Sequence, residues 1–224
     1  MTKERSILYT GAMVRSILAG LKSQTRRLAT GVAAVHATTG EALAEIDSAG
    51  PRVDCPYGKR GDRLYVREAW RTLDELDHLN GTEIADACIN AGYSKPWAPV
   101  QYEADGRQVN WQHTSTPPHD APPRAGRYRH ARFMPRWASR ILLEVTAVRI
   151  EHLQDIGEVD AAAEGLYHDD SIPYNGPWFL GPTEPQGYAS AVDAYRALWE
   201  SLNGQGSWDA NPKVWVVEFR RVWA

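Results

Sequence analysis

Apolar residues near the start of the chain recur at helical intervals. Val14 and Ile17 are three positions apart, and Leu21 continues the series after a further turn. Gly20 is a natural helix stop because glycine readily adopts the left-handed conformation that ends many helices. The pattern predicts a short amphipathic helix over residues 12–20.

Three segments are predicted to be strands, and two of them alternate apolar and polar residues, which is typical of half-buried strands. The first, residues 61–70, opens with a Gly-Asp turn and places Leu64 and Val66 on one face. In the second, residues 139–150, every second side chain is apolar. The third is the apolar segment 213–222, which we also predict to be a strand.

Two helices are predicted between the second and third strands. Asp160 follows Gly157 by three residues and is expected to cap a helix over 158–164, which Gly165 would end. A longer helix is predicted over 188–202, where apolar residues form a buried stripe.

Several segments lack any sustained period. Residues 30–56 are rich in Gly, Ala and Thr, and residues 71–134 are rich in Pro, Gly, Asp and His, with one predicted strand near 99–103. We interpret both as loop insertions in a single domain, residues 1–224, because long irregular insertions often serve as lids or binding loops. Residues 166–187 also have loop composition.

The composition is that of a globular protein, with 43% hydrophobic and 24% charged residues. Nine Trp and ten Tyr against three Phe are a weak indication of base stacking. The net charge of −3 gives no general attraction to nucleic acid, so any such binding must be local. No apolar run suits a signal peptide or a membrane span, so we expect a cytoplasmic protein with no membrane partner.

The two cysteines do not indicate a metal site. Cys55 and Cys88 lack partners at zinc-ligand spacing, and a reducing compartment favours free thiols. His113, His119 and His130 are scattered and form no metal-binding pattern with Cys55. We therefore expect neither a metal nor an organic cofactor.

A basic cluster, KSQTRR at residues 22–27, follows the first predicted helix. In an extended segment Lys22 and Gln24 would point to one side, and Ser23 and Thr25 to the other, unless a turn intervenes. The cluster is either a functional group of side chains or a solvated basic edge strand.

Glu164 lies at the end of its predicted helix, beside Gly165. The negative end of the helix dipole disfavours a carboxylate there. Such a broken local rule is common at functional sites, although an exposed glutamate at a helix end is also often tolerated.

The segment 121–140 combines arginines with aromatic residues and contains no acidic residue. Its aromatic residues are Tyr128, Phe133 and Trp137. Guanidinium groups suit phosphates and rings suit bases, so the segment fits either a nucleotide or single strand, or a solvated loop whose arginines pair with acids elsewhere. Its arginines are Arg124, Arg127, Arg129, Arg132, Arg136 and Arg140.

Five strings of the sequence carry a resemblance to a known family: ILAGLKSQTRRL, CPYGKRGDRLYVREAW, WASRILLEVTAVRIEHLQDIGEVDAAAEG, YRALWESLNG and WVVEFRRV. They cover both ends and the centre of the chain and leave out the two insertions. Together they resemble phage-type members of the ASCH-domain family, which has a PUA-like fold.

The resemblance implies a catalytic set. The family includes an amidohydrolase that deacetylates N(4)-acetylcytidine with a Lys, a Thr and a Glu, which correspond here to Lys22, Thr25 and Glu164. Gln24 and Arg26 replace apolar residues of that enzyme, and both insertions are absent from it.

The resemblance also implies the α+β fold class, with a small PUA-like (ASCH) β-barrel, flanking helices and the two loop insertions. The side chains expected to bind the substrate are Ser23, Arg26, Arg27, Trp70, Arg136 and Trp137.

Two functions follow as hypotheses. The first is an amide hydrolase for N(4)-acylated cytosine or cytidine, in which Thr25 attacks the acyl group, Lys22 is the base, and Glu164 donates a proton or holds Lys22. Arg26 or Arg27 would orient the base or stabilise the oxyanion. The second is a module that binds single-stranded RNA or DNA, as a modified-base reader or a ribonuclease-like protein. Family resemblance alone does not decide between them.

Overall fold

The structure is a computed structural model, and it describes residues 2–30, 55–114, 121–172 and 176–222. Its described part has ten β-strands: β1 Glu4–Leu8, β2 Gln24–Leu28, β3 Arg63–Arg67, β4 Trp70–Arg71, β5 Val100–Tyr102, β6 Gln108–Val109, β7 Leu142–His152, β8 Tyr167–His168, β9 Trp178–Phe179 and β10 Lys213–Val222. Four α-helices accompany them: α1 Gly11–Leu18, α2 Gly81–Asn90, α3 Glu158–Ala163 and α4 Ala191–Asn203. The fold class is therefore mixed α+β.

The chain divides into two compact units. The first comprises Met1–Glu4, Ser16–Arg63 and Leu143–Arg221, and the second comprises Arg5–Arg15, Leu64–Leu142 and Val222–Ala224. This division does not decide whether the prediction of a single domain is right.

In the first unit, strands β7, β10 and β2 are neighbours in that order. Strands β10 and β2 are antiparallel, with Val216 opposite Arg26 and Glu218 opposite Gln24. Helices α3 and α4 contribute to one buried apolar cluster, which includes Ala161. Its other members include Leu153, Tyr195, Trp199, Trp208, Val214 and Val216. The core of this unit therefore lies under the strand that carries the basic cluster.

In the second unit, β1 lies next to β3, and β4, β5 and β6 form a separate antiparallel sheet. A second apolar cluster contains Trp70 and Ile84. Its other members are Ala98, Val100, Tyr102, Met134 and Ala138.

The periodic segments are confirmed as elements of the predicted type. Helix α1 lies within two residues of its predicted ends, strands β3 and β7 lie within three, and β10 has the predicted bounds. Helix α3 ends one residue before Glu164, and α4 begins three residues later than predicted. Gly165 has φ +96°, as its predicted role at the end of α3 requires.

The prediction that residues 71–134 are an irregular loop is wrong for much of their length. They contain α2 and the strands β5 and β6, of which β5 lies within the predicted 99–103. Asn80 accepts hydrogen bonds from Thr82 and Glu83, and the Glu83 side chain accepts one from the Asn80 backbone. This capping box was a readable signal, but only Ile84 of the helix is buried, so the apolar period was too weak to detect.

The described residues of neither unit form a closed barrel, so the PUA-like barrel stays a prediction. Residues 166–187 include the short strands β8 and β9, which pair with each other. The first predicted insertion, 30–56, lies almost entirely outside the described residues. Among those described, no helix is long and apolar enough to cross a membrane.

A polar network is buried in the second unit. Glu68 is 1% exposed, and its two carboxylate oxygens accept hydrogen bonds from Arg140 at 2.8 and 2.9 Å. Arg140 also donates to Asp105 and lies 4.0 Å above the ring centroid of Tyr102. The Tyr102 hydroxyl donates to the carbonyl of Ala138 at 3.0 Å, and burial raises the pKa of Tyr102 to about 12.

This environment predicts a pH dependence of stability. Because the pKa of Tyr102 is higher in the folded state than the ordinary value of 10.0, its stabilisation is complete below pH 10 and is lost as the pH rises towards 12. Tyr102→Phe should reduce the free energy of unfolding by about 1 kcal/mol at pH 8 and should weaken the decline above pH 10. Urea unfolding of both proteins at pH 8 and 11 measures this. The prediction is contradicted if the wild type and Tyr102→Phe lose the same free energy of unfolding between pH 8 and pH 11.

Candidate functional site

The basic cluster reaches the end of helix α3 through backbone contacts. Lys22 and Glu164 form an isolated antiparallel bridge, and the Ser23 N–H donates to the carbonyl of Ala163 at 2.9 Å. The Ser23 carbonyl accepts a hydrogen bond from Phe219 in β10 at 2.8 Å. These contacts fix the start of β2 against the C-terminal end of α3.

Lys22 and Glu164 form a buried ion pair. The Lys22 Nζ donates to Glu164 Oε2 at 2.8 Å and to the Glu164 backbone carbonyl at 2.7 Å. Both residues are only 3% exposed. One ammonium group therefore compensates both the side-chain charge and the carbonyl at the negative end of the helix.

Arg26 binds the second oxygen of the same carboxylate. Its Nη1 donates to Glu164 Oε1 at 3.2 Å and to Gln24 Oε1 at 2.5 Å. Its Nε and Nη2 donate to Glu151 Oε1 at 3.1 and 2.5 Å, and Nη2 also donates to Asp160 at 3.1 Å. These five hydrogen bonds equal the number of N–H donors of a guanidinium group.

Further charged groups surround the side chains of Lys22, Arg26 and Glu164. Arg149 donates to Glu151 at 2.9 Å and to Asp160 at 2.5 Å, and it pairs with Glu218 of β10 through a short contact. The predicted capping role of Asp160 is wrong, because Gly157 at the start of α3 has no side-chain cap. The Asp160 carboxylate binds Gln24, Arg26 and Arg149 instead.

Burial changes the proton affinity of two groups here. Loss of solvent lowers the pKa of Lys22, the Glu164 carboxylate opposes that change, and the charges of Arg27 and Arg26 reinforce it. Burial, followed by the charge of Glu164, raises the pKa of Tyr195 well above its usual value. The lysine is therefore easier to deprotonate than one in water, and the tyrosine is harder.

Thr25 lies in the same strand but outside this network. It is completely buried, and its Oγ1 has no hydrogen-bond partner among the described residues. The side chains of Lys22, Gln24 and Arg26 all point towards the acids Glu151, Asp160 and Glu164. Alternation along an extended strand predicts that these three side chains lie on the same side. The reading of this segment as a solvated edge is wrong, since Gln24, Thr25 and Arg26 are all buried.

The other predicted binding residues have different settings. Ser23 is exposed, and Arg27 is half-buried and donates to the Arg26 carbonyl at 3.3 Å. In the second unit, Trp70 is fully buried and packs edge-on against Trp137, with ring centroids 5.9 Å apart. The Trp137 indole donates to the Gly81 carbonyl at 3.0 Å.

Four of the six arginines of segment 121–140 fall into two groups, both within the second unit. Arg129 is buried and donates to the carbonyls of Leu79 and Leu76, while Arg140 joins the Glu68 network described above. Arg132 and Arg136 instead lie over aromatic rings: Arg132 over Phe133 at 5.6 Å, and Arg136 over Tyr65 at 5.3 Å. Only part of the predicted arginine surface is therefore open to a ligand.

Sequence reasoning missed the acidic side of the buried network. Arg149 and Glu151 occupy the positions where the apolar alternation of β7 turns charged, and Glu218 interrupts the apolar run of β10. A charge at an inward-facing strand position is a signal for a buried polar network. The signal was present, but its partners lie far away in the sequence.

Metal ligands are not assembled in the described part of the chain. No group of three His, Cys, Asp or Glu side chains there could hold a metal ion. Cys55 and Cys88 are not in disulfides in the described part of the chain. His119 lies outside the described residues.

Gly165 allows the close approach of Lys22, and this can be tested. A Cβ at Gly165 would lie 2.8 Å from the Lys22 Cβ and 2.9 Å from the Ser16 Cβ. Gly204 also has φ +96°, but a Cβ there meets nothing within 4 Å. We expect Gly204→Ala to cost about 1–2 kcal/mol from backbone strain, and Gly165→Ala to cost about 2 kcal/mol more from overpacking.

Denaturant unfolding of the two glycine variants measures the difference. Equal losses of stability would show that the contact between Gly165 and Lys22 is not tight.

Comparisons of the chain with family profiles, with curated proteins and with solved structures gave no match. The chemistry of the buried network and the sequence resemblance are therefore the grounds for proposing a function.

Proposed function

We propose that the chain is an amide hydrolase that deacylates N(4)-acylated cytosine or cytidine, with Thr25, Lys22 and Glu164 as its catalytic set. The observation that carries the proposal is the buried ion pair of Lys22 and Glu164, three residues from a buried threonine hydroxyl that has no partner among the described residues. Buried hydroxyls are nearly always hydrogen-bonded, so an exception on the same segment as a perturbed lysine is a candidate nucleophile.

The reaction would proceed by acyl transfer. The Thr25 Oγ attacks the acyl carbonyl carbon and gives its proton to the neutral amine of Lys22. The carbon–nitrogen bond then breaks, and the Lys22 ammonium returns the proton to the departing amine of cytosine. Water hydrolyses the threonine ester, releasing the carboxylic acid and restoring the hydroxyl.

Each group contributes one property to this sequence of steps. The lowered pKa of Lys22 makes its neutral amine available, so the rate should rise with pH through that pKa. Both Glu164 oxygens accept hydrogen bonds from cations, which suits a group that holds Lys22. The proposal requires substrate binding to open the site and bring the Thr25 hydroxyl within hydrogen-bond reach of Lys22 Nζ.

The family resemblance supports the same assignment, because it points to Lys22, Thr25 and Glu164 without reference to the fold. The PUA-like barrel that it implies is part of this proposal. Free nucleoside is the simplest substrate to test, since an enzyme of this kind should not need a nucleic-acid strand.

Thr25 offers the cleanest test of the mechanism. Thr25→Val replaces the unpartnered hydroxyl by a methyl group of similar size, so stability should be unchanged or higher. Turnover of N(4)-acetylcytidine, followed by mass spectrometry of cytidine and acetate, should fall by at least about a hundredfold. Thr25→Ser is the matched control, because it keeps the hydroxyl and should retain activity while losing about 1 kcal/mol of stability.

A structural role for Thr25 gives the reverse ranking, with Val as active as the wild type. Substitutions of Lys22 or Glu164 are less informative by themselves, because breaking a buried ion pair costs about 3–5 kcal/mol. An absence of cytidine with the wild-type protein would refute the proposed substrate class directly.

The second candidate function, binding of single-stranded nucleic acid, is favoured by exposed rings in the second unit. Tyr128 is 53% exposed and Phe133 is 66% exposed. The guanidinium of Arg71 lies 5.8 Å from the Tyr128 ring centroid, and Arg132 lies over Phe133. An exposed ring with an adjacent guanidinium can stack on a base and bind its phosphate.

If this surface binds a strand, Tyr128→Ala and Phe133→Ala should each weaken binding about 5- to 150-fold, the equivalent of 1–3 kcal/mol per stacked base. Tyr93, which is 52% exposed, supplies a control substitution of matched exposure at a different place in the unit. Fluorescence anisotropy with single-stranded RNA and DNA at two salt concentrations measures the affinities. Equal effects of all three substitutions, or no binding by the wild type at low salt, would reject the surface.

A further inference from the structure

Arg26 has no step in the proposed reaction, although it is the most completely bonded side chain of the buried network. The side chain has no exposed surface, and all of its N–H donors are used by Glu164, Gln24, Glu151 and Asp160. No donor remains for an oxyanion or a substrate. Any contribution of Arg26 to catalysis must therefore act through one of these partners.

Glu164 is the partner through which Arg26 reaches Lys22. The carboxylate is shared, with Oε1 bound by Arg26 at 3.2 Å and Oε2 bound by Lys22 at 2.8 Å. Arg26 is itself held from the other side, because Glu151 and Asp160 also bind Arg149. A fixed arginine fixes the rotamer of Glu164, and the rotamer of Glu164 fixes the position of Lys22 Nζ.

We propose that Arg26 is a positioning residue that holds Glu164 against Lys22 and weakens the hold of that carboxylate on the lysine proton. As a role in catalysis it rests on the function proposed above. As a statement about Lys22 it stands independently, because proton affinity is measurable without a substrate.

The charges around Lys22 determine the direction of the effect. Glu164 faces it from the end of α3 and favours the ammonium form, whereas Arg26 and Arg27 of β2 disfavour it. The remaining charged or titratable groups of the network are Arg149, Glu151, Asp160, Tyr195 and Glu218. Removing Arg26 deletes a like charge and leaves Glu151, Asp160 and Glu164 less neutralised, and both of these changes raise the proton affinity of Lys22.

The test is an NMR titration of the Lys22 side chain in the wild type and in Arg26→Met, with the signal assigned by its loss in Lys22→Met. The Lys22 pKa should rise by about one unit, a tenfold gain in proton affinity. Arg149→Met is the matched control, because Arg149 binds Glu151, Asp160 and Glu218 rather than Glu164. This control should shift the pKa by less than a third as much.

Arg26→Lys is the second variant, for the case in which Arg26→Met does not fold. It keeps a positive charge but cannot make five hydrogen bonds, so Glu164 should be less neutralised. The Lys22 pKa should move upward by a smaller amount than in Arg26→Met, and the rising limb of any pH–rate profile should move with it. A merely structural arginine would change stability in both variants without changing the Lys22 titration.

The outcomes separate the two proposals. An unchanged Lys22 pKa in a folded Arg26 variant, or an equal shift in Arg149→Met, overturns the positioning role even if the protein is an active hydrolase. A raised Lys22 pKa in a protein that deacylates no N(4)-acylcytosine upholds the control of Lys22 by Arg26 and rejects the hydrolase function instead.

Discussion

The carboxylate of Glu164, shared between two buried cations, is the interaction on which the first unit depends. Lys22 and Arg26 are both removed from water, and an unpaired buried charge costs several kcal/mol. Helix α3 therefore ends where the Glu164 carboxylate contacts Lys22 and Arg26. Glu151 and Asp160 then complete the coordination of Arg26, and Arg149 links these acids to Glu218 of β10.

A glutamate at the negative end of a helix becomes favourable in this setting. The Lys22 ammonium binds both the Glu164 side chain and its backbone carbonyl, so one cation offsets the helix dipole and the carboxylate together. The close approach depends on Gly165, since any Cβ there would collide with Lys22. The broken local rule is thus compensated by tertiary contacts, and the compensation creates a lysine whose pKa is lowered by burial.

The second unit uses its arginines in two ways. Arg129 and Arg140 turn inward and satisfy backbone carbonyls or the buried carboxylate of Glu68. Arg132 and Arg71 lie over exposed rings, and Arg71 also donates to Glu103 and to the Gly126 carbonyl. The abundance of arginine in segment 121–140 therefore reflects internal pairing as much as a binding surface.

The sequence by itself determined the elements whose apolar period is strong, namely α1, β3, β7 and α4, because helical and alternating spacing are local properties of the chain. Strand β10 was identified from an apolar run, and α3 from the residues at its two ends. The sequence also singled out Lys22 and Glu164, one by charge clustering and the other by its unfavourable helix position. Only the tertiary structure decided that they bind each other, and that Asp160 binds Arg26 instead of capping its helix. Partners separated by more than a hundred residues leave no local pattern, so burial and pairing of these charges emerge only when the strands and helices pack together.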